Sequence, residues 1–353
     1  MLSRYLTWEV MKPTLVVLGI LVALFAGYSW VSFLASAANA LLPVKLILAL
    51  IGLKIVIALE VLLPVSLYLG IILGFGRLYT DSEVKALMAG GISPYRVVAI
   101  ILVPICVVAI AVALLSLSLR PWAYGQSYQL KAEAESGFRI SNLNPGHFYE
   151  RREGSLVFYA EALDAQRNRL KGVFVQSESE NGETLRVISA KEAKEKLDPK
   201  NGTALPLLFD GYEYQITRDG DIKHISGFSQ LTIYPKEVNP EFKRKAESTS
   251  ILAKSQKPSD AAEIHWRFST PFSAILLGLL GVPLSRSAPR QGKYAKIFTA
   301  ILIFAVYYFI SVLMKSLVEQ GHIPSFPGLW AIVGTLGVLV MYLFSPSRFT
   351  KTF

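Results

Sequence analysis

The stretch that decides the fold is LLPVSLYLGIILGFGRLYTDSEVKALMAGGIS, residues 62–93. From Val61 to Gly76 it carries no charge and is apolar enough to lie in a bilayer. At Arg77 the character changes. Thr80-Asp81-Ser82-Glu83 opens a short helix that must end by Gly90-Gly91 or Pro94. Thr80 with Glu83 three residues on fits a capping box, and Asp81 with Lys85 an i,i+4 ion pair. In that reading Glu83 satisfies a backbone donor. The alternative places Glu83 exposed, docked on a basic group of a cytosolic partner. A membrane helix feeding a short helix between two spans has the form of a coupling element.

Working outward, uncharged or nearly uncharged runs cover residues 14–36, 46–76, 97–119, 268–285, 297–318 and 329–345, six candidate spans at about 20 residues each. The first is too long, and lacks the small-residue pattern, for a cleaved signal peptide. The second would reach roughly 46 Å as helix. Lys54, Glu60 and Pro64 interrupt it, which narrows the expected span to 55–76. Gly70 and Gly74 have small-xxx-small spacing, read as close helix packing. Arg120-Pro121-Trp122 reads as an interfacial ending of the third span, with 121–136 continuing outward.

Charge sets the sides. Of 36 basic and 26 acidic residues, 21 of each lie between Arg120 and Glu263, leaving 15 against 5 elsewhere. Eleven of those 15 fall in the N-terminus (Arg4, Lys12), the 77–96 loop (Arg77, Lys85, Arg96), the loop with Arg286, Arg290, Lys293 and Lys296, and the tail (Arg348, Lys351). The positive-inside rule then puts both termini in the cytosol and one large domain outside, between the third and fourth spans. The surplus is topology rather than a footprint for nucleic acid. The single cysteine, Cys106, excludes an internal disulfide framework.

Residues 121–264 are turn-rich and β-patterned. Segments 155–163, 170–178, 184–190, 211–220 and 224–234 read as strands, separated by Asn181-Gly182, Asn201-Gly202 and Asp219-Gly220. The expected class is a six-span helical membrane protein with an all-β, sandwich or jelly-roll-like domain. The expected boundaries are 1–120 for three helices plus the short helix at about 80–90, 121–264 for the β domain with linkers, and 265–353 for three helices.

No phosphate-cradling loop occurs, since Gly292-Lys293 is followed by Tyr294. No G-x-S-x-G occurs, and His147, His224, His265 and His322 lack metal-ligand spacing. Any work is expected to draw on a partner or an ion gradient. Lys45, Lys54 and Lys315 fall near outer ends of spans and Arg120 follows the third. They either snorkel to headgroups or meet an anionic lipid. Glu60 inside a span calls for protein, a cavity or a partner charge around it.

LLPVSLYLG (62–70) running into GRLYTDSEVKALMAGGIS (76–93), AEIHWRFSTP (262–271), VPLSRSAPRQGKYAK (282–296) and MKS (314–316) resemble the LptF/LptG permease family of the lipopolysaccharide export ABC transporter, the LptF side more than the LptG side. The resemblance spans the chain. It implies a bacterial inner-membrane subunit that extracts lipopolysaccharide and passes it to a periplasmic jelly-roll bridge. It implies a heterodimer with an LptG-like permease, an LptB-like ATPase dimer that holds the ATP and magnesium, and an LptC-like single-span jelly-roll protein. No cofactor is expected in this chain. It also implies ATPase coupling through Glu83 with Asp81 and Arg77, and substrate contact at Lys315. The first span has no basic residue in its outer half, so Lys45 or Lys54 takes that role; Arg120 and Glu60 are further candidates for substrate contact. Two rivals remain open: a mechanotransmission subunit that moves no lipid, and a membrane-anchored scaffold without an ATPase.

Overall fold

The computed structural model describes residues 1–38, 44–136, 145–151, 156–164, 169–178, 184–197, 204–217, 221–233, 244–286 and 296–345. The three turn dipeptides between strands, and Arg290, Lys293, Arg348 and Lys351, lie outside them. Among the described residues six helices are long and apolar enough to cross a membrane. Helices α1 (Leu2–Ala38) and α2 (Val44–Thr80) come first, followed by the short α3 (Glu83–Ala89). The third span is α4 (Pro94–Leu114), a π turn (Leu115–Leu119) and α5 (Arg120–Ser136) in unbroken succession. After a β domain come the one-turn α6 (Thr249–Leu252), then α7 (Pro258–Leu284), α8 (Ile297–Glu319) and α9 (Ser325–Leu343).

Three expectations around α2 are corrected here. Lys54, Glu60 and Pro64 do not break α2. A proline within a span removes one backbone donor, a loss the surrounding protein can absorb. The capping box does not form: α2 runs through Thr80, whose hydroxyl donates to the Gly76 carbonyl at 2.9 Å. Ser82, left-handed at φ 59°, makes the turn into α3 without a side-chain cap, and Asp81 lies 3.8 Å from Arg77, one turn back, instead of pairing forward with Lys85. Past Arg120-Pro121-Trp122 the helix continues outward to Ser136, as expected. Pro121 has no N–H for the Leu117 carbonyl four residues back, and Thr249 Oγ1 donates to that carbonyl at 3.2 Å.

The chain divides into two compact units, residues 1–29, 51–126 and 239–353 in one and residues 30–50 and 127–238 in the other. In the helical unit, Leu6 and Val10 of α1 and Leu67, Ile71 and Phe75 of α2 pack with Val84 of α3. Ile101 and Ile105 of α4 and Ala274 of α7 complete that core. A second cluster joins α2, α7, α8 and α9 through Tyr68, Ile72, Leu277, Leu280, Ala300 and Leu336. Gly70 and Gly74 are the points of closest helix approach. A Cβ on Gly70 would lie 2.7 Å from Thr14 Cα, and one on Gly74 2.6 Å from the Glu9 carbonyl oxygen. Outward faces carry Leu24, Val31, Val107, Phe298 and Phe309, each more than half exposed, as a lipid-facing surface should.

In the β unit, six antiparallel strands lie in sequence order, β1 (Phe148–Arg151), β2 (Leu156–Asp164), β3 (Arg169–Glu178), β4 (Thr184–Leu197), β5 (Ala204–Thr217) and β6 (Ile222–Thr232). The core side carries Phe158 and Ala160, Val173 and Val175, and Ile188 and Ala190 over part of its length. Beyond that it carries Leu170, Ala193 and Leu208, of opposite parity. The change falls on the row that crosses Gly172, Lys191 and Asp210. Gly172 and Asp210 sit there at φ 61° and 48°. Strict alternation would turn the second apolar set to the opposite face, so a residue in each strand turns over to keep one core.

Candidate functional site: a buried charge layer and an acidic corner

Helix α7 begins ten residues before the expected span, so Glu263, expected in the 121–264 domain with its linkers, belongs to it, as does Arg267. Glu263 is 1% exposed and meets three cations: Lys315 at 2.6 Å, Arg120 at 3.2 Å and Arg267 at 3.2 Å. Arg120 is held on its other side by Glu60 at 3.1 Å, and Ser116 donates to Glu60 at 2.6 Å. Arg267, with no exposed surface, donates to the carbonyls of Glu247 and Lys245 at 3.0 and 3.3 Å and to Thr249 Oγ1 at 2.9 Å. Lys315 lies over the Trp266 ring at 5.0 Å and reaches Glu319 at 3.7 Å.

These groups share one level. Glu60 lies 20 residues before the end of α2, Ser116 22 after the start of α4, Glu263 21 before the end of α7 and Lys315 18 after the start of α8. At 1.5 Å per residue that is about 27–33 Å from the end of the helices where α3 sits, the thickness of a hydrocarbon core. Burying charge at such a depth requires pairing and further hydrogen bonds. Two carboxylates, Glu60 and Glu263, face three cations, leaving a surplus of one positive charge that Glu319 meets from the rim.

On the α3 side of this layer a small cavity of about 40 Å³ lies among α2, α7, α8 and α9, with Glu60, Trp266, Ser273, Tyr307, Phe304 and Val333 in its wall. Tyr307 donates to Ser273 Oγ at 2.5 Å, and Ser273 to the Ser269 carbonyl at 2.9 Å.

At the opposite end of α2 is an acidic corner. Arg77 Nη2 stands 3.0 Å from Glu9 and 3.6 Å from Glu83. Tyr5 donates to Glu83 Oε2 at 2.6 Å. Glu83 is about one-third exposed, while its neighbour Val84 is buried.

The residues singled out from sequence therefore fall into two groups. Arg77, Asp81 and Glu83 come together at the corner. Glu60, Arg120 and Lys315 come together in the layer, with Arg120 buried instead of reaching for headgroups. Lys54 is partly buried on α2, six residues before Glu60. The Lys45 side chain lies outside the described residues. Sequence reasoning missed Tyr5, Glu9, Glu263 and Arg267. The signal was present for the last two: Lys257-Pro258-Ser259-Asp260 reads as a helix start with proline at its first position, and Glu263 and Arg267 then fall one turn apart.

A family model described as lipopolysaccharide export system permease LptF/LptG matches residues 4–346. The lipopolysaccharide export system permease protein LptF of Escherichia coli K12 is 27% identical over 336 residues, covering 93% of this chain and 89% of the relative. The LptF proteins of Escherichia coli O157:H7 and Shigella flexneri match to the same extent. Six apolar helices, a sheet inserted between the third and fourth, and a match over nearly the whole length agree: this multi-pass membrane protein belongs to the LptF/LptG family of lipopolysaccharide export permeases.

Proposed function

We propose that this chain is the LptF-like half of a heterodimeric permease that lifts lipopolysaccharide from the outer leaflet of the bacterial inner membrane. An LptB-like ATPase dimer, which holds the ATP and magnesium, drives it from the cytosol. An LptG-like permease closes the gate, and an LptC-like protein receives the lipid from the β domain. The termini and α3 lie on the cytosolic side, and the charge layer lies at the outer boundary.

The observation that carries this reading is that the outer layer holds one cation more than its buried carboxylates, with the balance resting on Glu319 at the rim. Lys315, 12% exposed, is the accessible member. When its ammonium turns to a lipid phosphate, Glu263 keeps two guanidiniums, so no buried carboxylate is left bare. Arg120 and Glu60 hold the layer together. Extraction exposes acyl chains at about 0.8 kcal/mol per CH₂, so an energy source and a continuous apolar path are required. The apolar core side of the sheet, with Phe158, Val173 and Leu208, suits that path.

The energy enters at α3. Glu83 presents a partly exposed carboxylate for a basic group of the ATPase. The adjacent Val84 sits in a core shared with α1, α2, α4 and α7, so displacement of α3 loads four spans at once. The test is lipopolysaccharide release from proteoliposomes holding the full complex. Glu83→Arg should abolish ATPase assembly or release. Normal release by that variant refutes the coupling.

A further inference from the structure

We propose that Tyr5 and Glu9, at the start of α1, are positioning residues for Glu83: together with Arg77 they orient its carboxylate and bind the first helix to the movement of α3. The inference rests on the reading that Glu83 docks the ATPase.

The geometry is a small polar network above a packed seam. Tyr5 donates its hydroxyl proton to Glu83 Oε2 at 2.6 Å and accepts from Arg77 Nη2 at 3.2 Å. The same Nη2 stands 3.0 Å from Glu9 Oε2 and 3.6 Å from Glu83 Oε1. One guanidinium nitrogen of α2 thus serves three groups, two on α1 and one on α3. Beneath it Leu6 and Val10 of α1 and Val84 of α3 are buried in one core. The Glu9 carbonyl stands where a Cβ on Gly74 of α2 would lie within 2.6 Å, so the helices are already in contact at that point. The polar groups therefore add orientation to an interface that packing has closed.

That orientation has two consequences. A glutamate free on a short helix samples several rotamers, and a docking partner must overcome that freedom. Here the hydroxyl of Tyr5 fixes one oxygen of Glu83, while lone pairs remain for an incoming ammonium or guanidinium. Charge is also unbalanced in the partner's favour. Within this network Glu9, Asp81 and Glu83 give three negative charges against the one of Arg77. A basic patch is the complementary surface. Force applied to Glu83 then reaches α1 through Tyr5 directly, as well as α2 through Arg77.

The experiment uses the complete complex, permease pair, ATPase dimer and bridge protein, in proteoliposomes, and reads ATP hydrolysed per lipopolysaccharide released. Tyr5→Phe removes one oxygen atom and leaves the ring in place. The expected result is about a fivefold rise in ATP used per lipid released, the scale of one charge-assisted hydrogen bond at a partly exposed site. Glu9→Gln should act in the same direction. Unchanged coupling in both Tyr5→Phe and Glu9→Gln overturns the proposal. If Glu83→Arg itself releases lipid normally, the parent reading fails instead. If Glu83→Arg is inactive while both α1 variants are normal, only this inference falls.

Discussion

Replacing Glu263 by glutamine keeps the shape of the side chain and removes its charge. In the native layer this carboxylate is 1% exposed and lies within 3.2 Å of Lys315, Arg120 and Arg267. Arg120 would retain Glu60, and Arg267 its carbonyls, but three cations would then face one carboxylate in a water-poor layer. Removing one partner from a buried ion pair costs about 3–5 kcal/mol, because the remaining charge has lost its solvation and its counter-ion. At about 2–4 °C per kcal/mol for a unit of roughly 200 residues, the midpoint should fall by roughly 6–20 °C. The assay is thermal unfolding of the purified full-length protein in detergent, at two salt concentrations. A buried origin makes the loss nearly independent of salt. Lys315→Met is the internal contrast: Glu263 keeps two guanidiniums, so its cost should stay near 1 kcal/mol. A Glu263→Gln midpoint within 2 °C of the native value, or a cost that Lys315→Met matches, refutes the reasoning.

Gly70→Ala should cost about 3 kcal/mol or more, because its Cβ would lie 2.7 Å from the Thr14 backbone and α1 would have to withdraw. A cysteine crosslink between residues on α1 and α2 near that level should weaken in the variant. In the β unit, the hydrogen bond from Arg186 holds the Glu213 carboxyl below its usual range, against the opposing effect of burial. A lowered folded-state pKa means that the stabilisation is complete above the ordinary carboxylate range and is lost as pH falls through the lowered value. Hydrogen-exchange protection of β4 and β5 in the full-length protein should therefore decline below about pH 4.5, and Glu213→Gln should flatten that dependence. With Arg186 at 41% exposure the effect should stay under about 1 kcal/mol.

The spans were legible because hydropathy is a sum over some 20 residues, and a single Lys54 or Pro64 barely alters it. Those same residues misled locally, since a break was inferred where surrounding helices absorb the defect. The first part of β5 was hidden by Pro206, and the second half of β4 by the charged run Lys191–Lys196, which alternates with little apolar signal. Of the candidate site, Lys315 and Glu83 were singled out from the residues with their readings open, and the resemblance gave each an expected role. Tyr5 and Glu263 went unnoticed because their partners are 78 and 52 residues away in the chain, a separation that local pattern does not encode.

Both connections to the β domain are fastened at one place. The outgoing helix is held there by Arg120, and the returning segment by Arg267 and by the bond from Thr249 to Leu117. For anyone building chimaeras, this sets where to cut. Exchanging residues 121–264 between homologues would carry away Glu263 and Thr249 and leave their counterparts stranded. Splicing within 127–238 keeps the fastening native and transplants the sheet alone.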